Sequence, residues 1–341
     1  MHIIWLLLVL YKYLTDKIRI FFLKHERSIK LFIYKIGFQL NKIHTTKPLS
    51  LQLFLTIIFT TLAQQTKFIP MQQNKTYPNI AQSWGIMGVA IICMLFLSPL
   101  QMTLNKVIGK EITFFIYYLS TMGATFSFAH FIRKKTISQS NYNINLSNPT
   151  SIILVSIATL CLQLGILSPL TSLVPMPDFF KLIVLELGEM KGFFSFASFV
   201  IAAPIFEELI FRGVMLDGLL KRYSPNKSIF ISSLIFGIVH LNPWQFITAF
   251  GIGLFMGWVY YKTRNLSLCI IMHFTNNLLA FLSMQFTNME EVLENTFVES
   301  SGGLYNAIMI ITGFSIIFLL CLWLLIRKFK QDTINKTSIS Q

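Results

Sequence analysis

The stretch IFEELIFRGVML, residues 205–216, sets two adjacent glutamates, Glu207 and Glu208, and an arginine, Arg212, inside sequence that is otherwise apolar. Of the chain's 14 acidic residues, only these two sit well inside an apolar run; Asp217 stands near the end of the same run, and the rest fall in links, ends or tails. An ionisable group at bilayer depth costs on the order of 3 kcal/mol or more unless it is paired or wetted, so the pair points either to function or to an internal ion pair joining helices. Helical spacing separates the two acids. Glu208 precedes Arg212 by four residues, the favourable order for a pair on one helical face. Glu207 is turned about 100° away and lacks that partner, which leaves it available for chemistry.

Three histidines, His130, His240 and His273, lie in or beside apolar runs. His130 is close to the basic cluster Arg133, Lys134 and Lys135, where an interfacial role is expected. If the runs flanking YSPNK, residues 223–227, form a helical hairpin, Glu207 and His240 both lie about 20 Å from its turn at 1.5 Å per residue. His273 and Asn277, in HFTNN, share one helical face because they are four apart, while Asn276 points elsewhere. The corresponding distances from Asn265 are about 12 Å for His273 and about 18 Å for Asn277. A lone buried histidine is ordinarily a hydrogen-bonded packing residue. Three such polar positions converging near one depth beside an unpaired glutamate point instead to a functional site.

The elements that must position these groups are membrane helices. The 341 residues are 54% apolar and 12% charged, with a mean hydropathy of +0.63, which excludes an ordinary water-soluble globule. Apolar windows at 83–101, 112–131, 151–174, 192–220, 228–241, 244–261, 266–285 and 304–326 predict an all-α polytopic membrane protein with about eight transmembrane helices. The polar site then lies between the fourth, fifth and seventh. The window ending at His240 is short, as for a helix that ends in protein or a wet cavity.

The net charge of +14 is distributed unevenly. Arg133, Lys134 and Lys135, then Lys221, Arg222 and Lys227, then Lys262 and Arg264, then Arg327, Lys328 and Lys330 mark alternate links as cytoplasmic, and with them both termini. The link 286–303, with Glu290, Glu291, Glu294 and Glu299, belongs to the other side; Lys106 and Lys110 run against the pattern. Three regions follow: a basic amphipathic extension and linker over 1–80, a transmembrane domain over 81–326, and a basic cytoplasmic tail over 327–341. Within the first, apolar residues from Leu14 to Ile43 recur at helical spacing among lysines and arginines, as in a helix lying on an anionic leaflet. Residues 51–63 read as a re-entrant or interfacial segment and 63–79 as a polar linker.

Cys93, Cys161, Cys269 and Cys321 have no paired spacing and read as core residues. Gly253 and Gly257 form a GxxxG face suited to close packing within the chain. Trp84 and Trp244 fit interfacial anchors. The basic residues flank membrane spans and give no nucleic-acid surface. No oligomeric state is fixed by these patterns.

EELIFR (Glu207 to Arg212), FGIVH (Phe236 to His240) and HFTNN (His273 to Asn277) together resemble the three ordered motifs of the CAAX-protease and bacteriocin-processing family of intramembrane endopeptidases, which includes the type II CAAX prenyl proteases. The resemblance covers about residues 190–285. It implies a glutamate-dependent peptidase acting on a membrane-anchored protein or peptide, set in the lipid bilayer, expected here in a bacterial plasma membrane. By match to the motifs, Glu207 is the general base, supported by Glu208 and Arg212; His240 binds or polarises the water; His273 and Asn277 stabilise the oxyanion; Phe236 packs the site. The resemblance favours no metal, whereas the residues themselves leave zinc on Glu207, His240 and His273 as an alternative, without the HExxH helix of many zinc peptidases. Two other functions fit the residues: a non-catalytic immunity or scaffold protein of the same fold, and a proton-coupled transporter.

Overall fold

The computed structural model describes residues 76–138 and 141–339. The amphipathic extension expected over 14–43 and the segment expected over 51–63 lie outside the described residues, as does nearly all of the linker. Every regular element among the described residues is helical. In chain order the principal helices are α1 (Ile80–Ile108), α2 (Lys110–Ile137), α3 (Pro149–Ser172), α4 (Asp178–Gly188), α5 (Phe193–Leu220), α6 (Pro225–Ile238), α7 (Pro243–Thr263), α8 (Leu266–Phe286) and, after two short turns of helix, α9 (Leu304–Ile339).

The helix starts follow local chemistry. Asn79, Asn148, Asn242 and Asn265 each use the side-chain oxygen to accept from a backbone N–H of the first turn. Behind Asn148 and Asn242 stands a proline, Pro149 or Pro243, whose missing N–H costs nothing at the first helical position.

Six helices, α1, α2, α3, α5, α8 and α9, are long and apolar enough to cross a membrane. The remaining two of the eight expected windows form α6 and α7. At 14 residues α6 is too short to span, as its window implies, and it packs along α7. Their contact is made by the glycines of α7. A Cβ at Gly253 would stand 3.1 Å from Cβ of Ser233, and one at Gly257 would stand 2.9 Å from Cγ2 of Ile229. The GxxxG face is therefore consumed inside the chain, as expected.

Helix α4 fills the link after α3 and was not foreseen. Lys110 pairs there with Glu186 at 2.9 Å, and Glu111 accepts from the backbone of Gly192 at 2.8 Å. That pairing gives Lys110 a local counter-charge. At the opposite end Arg133, Lys221 and Arg264 all meet Asp217, so the three basic links are gathered on one side of the bundle. Trp244 departs from expectation: it is buried, its indole N–H donating to the Val174 carbonyl at 2.8 Å and its ring meeting Phe180. Trp84 remains partly exposed on α1.

The core beneath the site is α5 itself. Val214, Met215, Leu216 and Leu219 are fully buried against Ile235, Met256, Leu268 and Met272 of the surrounding helices. The winding of α5 is uneven. Wide π-helical turns at Ala197–Ala202 and Leu209–Leu216 bracket an ordinary α-helical turn at Ala203–Glu208. Pro204, which cannot donate and crowds the carbonyl four residues back, lies directly after the first wide turn. Such local widening is common at functional sites, and here it isolates the turn that carries both glutamates.

Candidate active site

Both acids on that turn are buried, Glu208 fully and Glu207 to 8% exposure. Arg212 donates to Glu208 Oε1 at 2.8 Å, so the four-residue pair expected from spacing is formed. The guanidinium also donates to the Gly253 carbonyl of α7 at 3.3 Å and lies 4.5 Å over the Phe236 ring of α6. One cation thereby ties three helices together, using a carboxylate, a carbonyl and an aromatic face.

His273 enters from α8 and is also buried. Its Nδ1 lies 2.8 Å from the same Glu208 Oε1, and its Nε2 lies 3.9 Å from Glu207 Oε2. A carboxylate paired with arginine can only accept, so the proton of this contact sits on Nδ1 and Nε2 is turned toward Glu207. Glu207 Oε1 accepts from the hydroxyl of Tyr118, on α2, at 2.7 Å. Glu207 Oε2 is buried and has no hydrogen-bond partner among the described residues. Arg212 thus pairs with Glu208 and not with Glu207, whose hydrogen-bond partner comes from another helix. Nothing in the spacing of the motifs marks Tyr118, which comes from a helix 89 residues earlier. The only sequence cue is a run of hydroxyl residues, Tyr117, Tyr118, Thr121 and Thr125, along an otherwise apolar helix.

His240 follows the last turn of α6. Its Nδ1 lies 2.8 Å from the Phe236 carbonyl, which makes Nδ1 the donor and leaves Nε2 with its lone pair. Phe236 stands between the two histidines, its ring edge-on to His240 at 5.2 Å and to His273 at 5.6 Å. Asn277 donates from Nδ2 to the Phe199 carbonyl at 2.8 Å, which spends one of its two N–H groups and leaves the second. Asn276 donates to Asn277 Oδ1 at 3.4 Å.

A cavity of about 360 Å³ adjoins the cluster. His240, His273, Asn276, Asn277 and Phe236 all line it, together with Trp244 and residues of α3 and α7. Glu207 is not in its wall; His273 is the residue that touches both the acid and the cavity. The structure thus brings Glu208, Arg212 and His273 into one hydrogen-bonded group, sets the hydrogen-bonded pair Tyr118 and Glu207 beside it across the 3.9 Å contact to His273, and brings His240, His273 and Asn277 to one cavity. No hydrogen bond joins His240 to Glu207 among the described residues. Among the described residues no group of three His, Cys, Asp or Glu side chains is placed to hold a metal ion, the set Glu207, His240 and His273 included.

His130, outside this group, contacts the Tyr142 hydroxyl at 2.8 Å in the basic link. The four cysteines are free, and three of them are buried.

Six apolar spans around a buried acid and histidine cluster define an integral membrane protein with a site held between its helices. The core that carries this site is similar to a known family: residues 189–279, a little over a quarter of the chain, match the family model described as type II CAAX prenyl endopeptidase Rce1-like. The match takes in all three motifs, from Glu207 to Asn277. No curated protein and no solved structure matches the chain.

Proposed function

We propose that the protein is an intramembrane endopeptidase that hydrolyses a peptide bond of a membrane-associated protein or peptide, with Glu207 as the general base. The family match supports a CAAX-type peptidase. The observation that carries the assignment of the base is the asymmetry of Glu207: one oxygen is held by Tyr118, and the other is buried, unpartnered and aimed at His273 Nε2. A carboxylate fixed by one oxygen presents the other in a single orientation, as proton abstraction from water requires.

The remaining groups divide by the tautomers above. His240 presents an Nε2 lone pair to the cavity and would hold the water or relay its proton. Asn277 retains one N–H for a developing oxyanion. His273 can donate from Nε2 only as the doubly protonated ring, and the compensating charge is at hand, since two glutamates face a single arginine. Loss of one oxyanion donor typically lowers the rate ~100 to 1000-fold. None of these roles calls for a metal ion.

The decisive experiment is Glu207→Gln, which keeps the shape of the side chain and removes the base. Cleavage of a membrane-anchored reporter should be abolished with abundance and folding retained. Biological activity that survives the change identifies a scaffold or immunity protein instead, and a proton-coupled flux that disappears with it identifies a transporter. Trapping on the Glu207→Gln protein would recover the substrate.

A further inference from the structure

The basic end of the bundle holds a second cavity, of about 410 Å³, that this chemistry does not use. Arg133, Asp217, Lys221, Arg264, Tyr142 and Asn143 are in its wall. Asp217 Oδ2 accepts from Arg133 Nη2 at 3.0 Å and Lys221 Nζ at 2.8 Å, and its Oδ1 accepts from Arg264 Nη1 at 3.5 Å. A single carboxylate thus faces three cations drawn from the ends of three different helices. Arg133 is 2% exposed, and its Nε and Nη1 make no hydrogen bond among the described residues. Buried guanidinium donors without acceptors are costly and rare.

The surroundings hold this arrangement in place. The Tyr142 ring covers Arg133 at 4.6 Å and rests on Gly213, where a Cβ would come to 3.0 Å from the ring. The link that carries Tyr142 is fastened to the turn between α7 and α8: Asn143 Nδ2 donates to the Arg264 carbonyl at 3.1 Å, and Leu266 N donates to the Asn143 carbonyl at 2.8 Å. Arg264 itself has φ of +52°, a left-handed conformation at the end of α7, with its side chain half-exposed at the rim.

We propose that this cavity binds a phosphate-class anion, supplied either as the headgroup of an anionic phospholipid or as free phosphate. The planar guanidinium fork matches phosphate oxygens, and cations approaching from three elements suit a tetrahedral anion better than a flat carboxylate. Basic pockets between membrane helices on the positively charged face are where anionic headgroups bind.

The test uses the full chain. Purified from an equimolar mixture of phosphatidylglycerol and phosphatidylcholine, the protein should retain the anionic lipid in native mass spectrometry with an enrichment of about tenfold. Separately, in bilayer discs of phosphatidylcholine alone, inorganic phosphate is titrated against chloride of equal ionic strength and Tm is read. Arg264→Gln removes a rim cation with only a 3.5 Å contact and should fold. Arg133→Lys keeps a charge beside Asp217 while removing the fork. Lipid enrichment lost in both variants assigns the site to a headgroup; a phosphate-specific rise in Tm lost in both assigns it to free phosphate. The proposal is overturned if neither signal exists in the unaltered protein, or if either persists unchanged in both variants.

Discussion

The imidazole of His273 and the guanidinium of Arg212 donate to the same carboxylate oxygen, Oε1 of Glu208, each at 2.8 Å. Glu208 therefore does two things with one atom: it neutralises an arginine that holds three helices together, and it fixes which nitrogen of His273 faces Glu207. Its neighbour has neither duty. Among the described residues the nearest basic nitrogen to Glu207 is His273 Nε2 at 3.9 Å, and its fixed contact is the Tyr118 hydroxyl.

This division predicts opposite phenotypes for adjacent residues. Glu208→Ala leaves Arg212, 1% exposed, without its counter-charge, and breaking such a buried pair from one side costs ~3–5 kcal/mol. The variant should show a sharply lowered unfolding midpoint in detergent. Glu207→Gln should keep its unfolding midpoint close to that of the unaltered protein while losing activity ~100 to 10,000-fold, the range of general-base catalysis. A Glu207→Gln protein that fails to accumulate would make Glu207 the structural acid and reverse the assignment.

Tyr118→Phe tests whether orientation of the base matters. The substitution removes the donor to Glu207 Oε1, the one hydrogen bond of that hydroxyl among the described residues. A hydrogen bond to a charged group contributes ~1.5–3 kcal/mol, so kcat should fall ~10 to 100-fold with KM nearly unchanged. Equal loss in kcat and in thermal stability would indicate packing between α2 and α5 rather than positioning of the carboxylate.

The sequence made the chemistry more legible than the supports. Glu208 and Arg212 are four apart on one helix, so their pairing is written locally and survives even the wide turn that follows Glu208. His240, His273 and Asn277 could be placed near one depth because helical rise is constant, and all three do line one cavity. Depth, however, says nothing about rotation of one helix against another. That is why matching depth for Glu207 and His240 could not show that the Phe236 ring contacts both His240 and His273. Tyr118 was invisible for the same reason, since a contact between α2 and α5 leaves no periodic trace. Helix α4 was missed because its 11 residues, DFFKLIVLELG, are too short for a span and sit in a link judged by charge alone. The two windows that became α6 and α7 are apolar because they are buried in protein as well as in the membrane domain, and hydropathy does not separate those environments.

The α6 and α7 contact offers a separate handle on the site. Gly257→Leu puts a branched side chain where even a Cβ would stand 2.9 Å from the stiff Cγ2 of Ile229, and should destabilise by ~1–3 kcal/mol or more through overpacking. Gly253→Ala is the informative partner. Its Cβ would meet Ser233 at 3.1 Å and Phe236 at 3.3 Å, the ring under Arg212 and between both histidines. The smaller change should therefore cost more activity for each degree of Tm lost than Gly257→Leu does. Parallel losses in the two variants would mean that the packing of α7 is not transmitted to the site.

Metal removal provides the last test, and it bears on the mechanism directly. A zinc peptidase loses activity in a strong chelator and regains it with the ion; a water activated by Glu207 alone does not depend on either. His273 Nδ1 is committed to Glu208 and His240 Nδ1 to the Phe236 carbonyl, so each ring has only Nε2 to offer a metal. The Phe236 ring also makes an edge contact with each imidazole, at 5.2 Å to His240 and 5.6 Å to His273. The expected result is full reporter cleavage after prolonged chelation, with metal below one equivalent in the purified protein by elemental analysis. Stoichiometric zinc that is lost in Glu207→Gln and in His273→Ala, with activity following the metal, would replace the proposed base with a metal-bound hydroxide and assign Glu207 as its ligand.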